Sequence, residues 1–191
     1  MGMDRAVKMA AALGVSDEQI QQWEALRKEI HEWIWGNCFD DVRCTFRQHP
    51  GTASQDATNF FFVLLGFLNP KDSRTAKIIE ETRKELTIND VFVYRYRTAD
   101  GLQGEEGAFL LCSFWMIAAL AKIGRKDEAR ALLQKIHGAM APSGLLPEEI
   151  DPATGMYLGN FPQAFSHLGY IMAALSFYSS ESSRRARRSR A

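Results

Sequence analysis

Hydrophobic and polar positions along the chain fall mostly into a helical period. Residues 4–13 give a short amphipathic run that stops at Gly14, the residue type favoured just past a helix end. Ser16 then opens a second helix, with Gln19 three positions on in the capping-box pattern. That helix continues to about 37 and places Trp23, Leu26, Ile30, Trp33 and Ile34 on one stripe, with charges opposite. Five further helices are predicted at 56–68, 72–86, 105–123, 126–138 and 162–178. Asn69-Pro70 stops the third and Gly124 closes the fifth. Little strand is expected: a short piece at Arg43–Gln48 and the run "VFVYRYR" at 91–97.

The helices alternate in character. The third, fifth and seventh are apolar nearly all round, which predicts burial on every side, whereas the second, fourth and sixth carry one apolar stripe and a wet face. The apolar helices start near 56, 106 and 162, so each helical pair takes about fifty residues. This all-α pattern fits a double ring, with inner helices surrounded by outer ones. Loops entering an inner helix (39–55, 87–104, 139–161) are long, and loops leaving one (69–71, 124–125) are short. All the long loops then gather at one end of the array, where function tends to sit.

Composition narrows the functional classes. The chain has 191 residues, 46% hydrophobic and 24% charged, suiting one globular domain or a piece of a larger one. No apolar run reaches membrane-span length and no basic-then-apolar leader opens the chain, so a cytoplasmic setting is expected. Cys38, Cys44 and Cys112 form an odd set without a Cys-x-x-Cys pair, and the four histidines are scattered. Neither a disulfide framework nor a metal site is indicated. In the tail 180–191, five Arg against one Glu give +4, so the remaining residues carry −4, because the whole chain is neutral. A mildly acidic body gives no reason to expect nucleic acid, and the Ser/Arg tract reads as a disordered tail beyond a domain of residues 1–179.

The candidate chemistry lies in two of the long loops. One contains "YRYRTADGLQGEEGAFLLCSFW" at 94–115; the other, "GLLPEEIDPATGMYLGNFPQAFSH" at 144–167, puts Glu148, Glu149 and Asp151 between two prolines and a glycine. On the residues alone this acidic group is either a solvated turn or the seat of a catalytic carboxylate.

These two segments resemble the C-terminal part of glycoside hydrolase family 15, the glucoamylases and bacterial trehalase-like enzymes. The resemblance extends from about Asp4 to Ala174 and is strongest from Val93 to His167. It implies an (α/α)6 toroid of which these seven helices make an incomplete half-ring. It also implies that the loop Gly144–Asp151 supplies the catalytic base at Glu148, since an inverting glycosidase needs an ionised acid to deprotonate water opposite the leaving group. Glu149 would orient sugar or hold the loop, and Asp151 would shape the turn before Pro152. Arg95 matches an arginine that donates to sugar hydroxyls, a role its rigid fork of donors suits; the alternative is an ion pair with Asp100 or Glu105. Glu106, read as the start of the fifth helix, has a pocket role or simply answers the helix dipole. Phe165 falls where relatives place an aromatic wall, and Trp115, further along the fifth helix, is read as packing.

The resemblance places the general acid in a Trp-Glu loop N-terminal to this region. Trp23-Glu24 matches that dipeptide by letter alone, inside an outer helix. The implied substrates are α-glucosides, either maltooligosaccharide or trehalose, with water as nucleophile and no cofactor. A half-ring would expose its flanks, so a complementary N-terminal half or self-association is expected. The competing reading is a non-catalytic α-helical sugar-binding or interaction module.

Overall fold

The computed structural model describes residues 1–98, 106–140 and 142–188. Helix α1 (Gly2–Ala10) runs into a 3-10 turn at Ala11–Leu13, and α2 (Asp17–Cys38) follows. The Ser16 hydroxyl accepts the Gln19 amide at 3.3 Å, the cap expected from the sequence. A hairpin of two short strands, β1 (Phe39–Asp40) and β2 (Thr45–Phe46), leads through a loop to α3 (Thr58–Leu65). Helix α3 ends earlier than its apolar run because Gly66 turns left-handed, with the Phe67 and Leu68 amides folding back onto the Phe62 carbonyl.

Helix α4 (Ser73–Leu86) and the strands β3 (Thr87–Ile88) and β4 (Phe92–Val93) come next. They are followed by β5 (Ala108–Phe109), α5 (Leu110–Lys122) and α6 (Lys126–Ala139). Strands β6 (Glu149–Ile150) and β7 (Tyr157–Leu158) join β5 in an antiparallel sheet of order β5-β6-β7, and α7 (Ala164–Arg188) completes the described chain. The architecture is all-α in substance, an incomplete toroid of the (α/α)6 type.

Helix α5 is the axle. Leu110, Cys112, Phe114 and the run Met116–Ala121 are buried, and the helix packs on α3, α6 and α7. Helices α4 and α6 bury one stripe each, through Ile78, Ile79 and Leu86 and through Leu132, Leu133 and Ile136. Loop 46–57 is held from inside. Gln55, with no exposed surface, accepts from the Thr45 and Thr82 hydroxyls at 2.6 and 2.7 Å. It donates to the Glu81 carbonyl and the Glu85 carboxylate. Arg43 pairs with the same Glu85 at 2.5 Å. A satisfied polar network of this kind fixes the loop's path into α3.

Three expectations change. Helix α7 is not buried on every side: Phe165, Leu168, Ile171 and Leu175 are 50–60% exposed, because α7 packs chiefly on α5 and leaves its other flank open. The stripe of α2 is also largely wet, with Leu26, Ile30 and Trp33 40–53% exposed; α2 packs mainly on α1, and only its C-terminal end meets the aromatic core. Finally, α7 continues to Arg188 rather than ending near 178. Its Ser/Arg-rich sequence contains no Pro or Gly to break the helix, and Arg and Ala are good helix formers. Residues 189–191 lie outside the described residues.

Candidate active site

The site is built on the N-terminal ends of α3, α5 and α7. Three successive carbonyls do most of the joining. The Leu146 carbonyl accepts the Gln163 amide at 2.8 Å, that of Pro147 the Ser166 hydroxyl at 2.6 Å, and that of Glu148 the Leu110 amide at 3.1 Å. Segment 146–148 therefore bridges the first turn of α7 to the first turn of α5, satisfying donors that helix starts leave open. Arg95 makes the equivalent link to α3, its carbonyl accepting the Ala57 amide at 2.9 Å.

Glu148 is half-buried and its direction is fixed. Its Oε2 accepts the Asn160 backbone amide at 3.0 Å and the Asn160 side-chain amide at 2.8 Å, while its own N–H donates to the Asn160 carbonyl at 2.9 Å. This closeness requires glycine next door. Gly159 has φ +68, and a Cβ there would stand 2.8 Å from Glu148 Oε2.

Glu149 points elsewhere. In β6 it lies opposite Phe109 and Leu158, and its Oε2 accepts the Gly107 amide at 3.2 Å. Burial pushes its carboxyl above the ordinary glutamate value; the Gly107 N–H opposes this and the charge of Glu148 adds to it. Asp151 serves its own turn, accepting from the Ala153 amide and the Thr154 hydroxyl, which hold its carboxyl low, the hydroxyl foremost.

Arg95 does form an ion pair, but with a residue the sequence did not single out. Its Nε lies 2.9–3.0 Å from both carboxylate oxygens of Asp56, and Asp56 Oδ1 also accepts the Thr58 amide at 2.8 Å. The alternative partners Asp100 and Glu105 lie outside the described residues. Asp56 thus makes an Asx turn that holds the first amide of α3, and the same carboxylate anchors Arg95.

Glu106 is exposed and does not start α5. Residues 107–109 intervene, and Ala108 and Phe109 are taken into the sheet by β6. The dipole explanation for Glu106 therefore falls away. Phe165 sits in the first turn of α7, 59% exposed. Trp115 packs on Phe61 with ring centroids 4.8 Å apart.

Burial pushes the Cys112 thiol far up. Two residues before Arg95, the Val93 amide donates to Ser113 Oγ at 3.0 Å, and the Glu148 carbonyl accepts the Leu110 amide, so the arginine loop and the acidic loop meet by the first turn of α5. Among the described residues no group of His, Cys, Asp and Glu is placed to hold a metal ion, and no helix is long and apolar enough to cross a membrane.

Known proteins resemble this chain over most of its length. The chain is 40% identical over 178 residues to a trehalase of Mycobacterium tuberculosis, covering 92% of this chain and 26% of the trehalase. It is 38% identical over 171 residues to a trehalase of Thermoplasma volcanium, covering 90% of this chain and 27% of that enzyme. It therefore spans about a quarter of the length of these curated relatives. A solved wild-type glycosidase superposes with a TM-score of 0.74 at 22% identity, over 90% of this chain and 48% of its own. A variant glycosidase in complex with glucose gives 0.74 at 21% over the same shares. The family model for glycosyl hydrolases family 15 matches residues 1–175. The chain belongs to glycosyl hydrolases family 15.

Proposed function

We propose that these residues form the base-side part of an inverting α-glucoside hydrolase, with trehalose as the first substrate to test and maltooligosaccharides as the second. The observation that carries this is the fixing of Glu148 through one carboxylate oxygen by Asn160, above the start of α5. Glu148 would take a proton from the water that attacks the anomeric carbon, and the configuration there would invert. Arg95, held by Asp56, would offer guanidinium donors to sugar hydroxyls. Glu149, Glu106 and Phe165 would line the sugar site, the last by lending an apolar ring face.

Hydrolysis also needs a carboxylic acid to protonate the leaving oxygen, in inverting enzymes roughly 6.5–9.5 Å from the base. We assign that acid to the part of the family domain these residues do not span. The name trehalase borne by the curated relatives favours trehalose. The test is to assay the purified chain on trehalose and maltooligosaccharides, alone and with a polypeptide carrying the remainder of the domain. Alone, the expected turnover is none; with the complement it appears, and Glu148→Gln removes it. General acid–base assistance is worth about 10²–10⁴-fold. Turnover by the lone chain, or a complemented Glu148→Gln protein as active as its parent, refutes the assignment.

A further inference from the structure

A concave site lies at the other end of α3. A cleft of about 530 Å³ opens between α2, the α3–α4 connection and the start of α4, within the roughly 300–1,000 Å³ range of small-molecule sites. Helix α3 spans about 12 Å at 1.5 Å per residue, and Arg95 and Asp56 stand at its opposite, N-terminal end. The cleft belongs to different elements from the Glu148 site.

Its lining joins aromatic faces to polar groups. Trp35 and Phe67 are half-buried and nearly parallel, with centroids 6.3 Å apart at 14°, and His31 lies 4.9 Å from Phe67. Arg74 stands 5.4 Å over the Trp35 ring and is steadied by Asp72 at 3.1 Å. Glu32 and Asn69 complete the rim. The charges are largely matched within the protein, Asp72 by Arg74 and Glu32 by Lys28 at 3.7 Å, so the cleft calls for a neutral ligand. An aromatic floor suits an apolar ring face. A rim with both donors and acceptors suits hydroxyls, which need one of each. A pyranose presents both features on one small body.

We propose that this cleft is a saccharide-binding subsite, separate from the Glu148 site and able to hold a glucan chain on the outer surface. The choice of α-glucan as first probe rests on the proposed function; the demand for a neutral pyranose does not.

The test is a ¹⁵N NMR titration of the intact chain with maltoheptaose and, as a second glucan, cellohexaose. The Trp35 indole N–H and backbone amides between 67 and 75 should shift with a dissociation constant on the order of 1 mM for at least one sugar. Arg74→Ala and Phe67→Leu should each weaken this binding about tenfold or more. Because Phe67 also packs in the aromatic core, Arg74→Ala, an exposed position, decides the matter if Phe67→Leu unfolds. The proposal is overturned if neither sugar moves these signals, if shifts are confined to Arg95 and residues 148–165, or if Arg74→Ala binds as the parent does. Cleft binding without hydrolysis on complementation would sink the proposed function alone; complementation without cleft binding would sink this subsite alone.

Discussion

Gly159→Ala tests whether the acidic loop is built around Glu148. The glycine has φ +68, and an added Cβ would meet Glu148 Oε2 at 2.8 Å and Glu148 Cβ at 3.0 Å. Left-handed backbone alone costs an L-residue roughly 1–2 kcal/mol. The closer contact is with the free end of a side chain, so the carboxylate can swing aside, but it then leaves both Asn160 donors. A hydrogen bond to a charged group contributes about 1.5–3 kcal/mol, and half-burial places the loss near the lower figure. Gly155→Ala is the control, since Gly155 has φ +74 and nothing within 4 Å of its would-be Cβ. The control should lose only the backbone cost, and Gly159→Ala about 1–2 kcal/mol more. Urea unfolding monitored by circular dichroism measures both, with an unchanged slope showing that only stability moved. Equal losses, within the ~0.3–0.5 kcal/mol on which independent effects are judged, would mean that the Gly159–Glu148 contact carries no energy and the proposed fixing of the carboxylate is wrong.

Three further outcomes are expected. Glu149 has its folded carboxyl raised, so its contribution is full below the ordinary glutamate value and is lost as pH rises through the raised one. Glu149→Gln, which keeps an acceptor for Gly107, should therefore melt higher than the parent at neutral pH, with the gain vanishing on acidification; a thermal series in pH would show it, and a constant difference would refute it. Arg95→Met should destabilise by about 1–3 kcal/mol in urea, because Asp56, 8% exposed, keeps its charge and loses its partner; adding Asp56→Asn should recover part of the loss, and an unaffected single variant would refute the pairing. Deleting residues 180–191 should change the unfolding free energy by less than about 0.5 kcal/mol, and a larger loss would show that the end of α7 is docked.

The helices were legible, and so was the alternation from α4 through α6, because each is a local pattern: the stripes of α4 and α6 and the dense apolar run of α5 are period and composition alone, whereas the open flank of α7 is not. That Glu148 lies in the long segment entering α7 was legible too, and its role is the proposal made above. The partners of Glu148 were not. Asn160 lies twelve residues on across a turn, and Asp56 lies thirty-nine residues before Arg95, pairings that only the folded chain creates. Glu106 was misplaced for a similar reason: the pairing of β5 with β6, forty residues away, takes Ala108 and Phe109 out of what reads as a helix start. The wet stripe of α2 shows the limit of amphipathicity, which says that a face is apolar and not what covers it.

The sheet β5-β6-β7 constrains how this loop can change in length over evolution or in engineering. Adjacent residues of β6 carry opposite chemistry, Glu149 half-buried on the Gly107 side and Ile150 only 3% exposed in the core. A strand slipped by one residue exchanges its two faces. One residue inserted between 146 and 149 would drive a carboxylate into the core and bring an isoleucine out, besides pulling the three carbonyls off α5 and α7. The same insertion between 152 and 155, in the outer turn, would leave the register of both strands intact. Length variants surviving in this loop should therefore cluster at its tip and spare its stem.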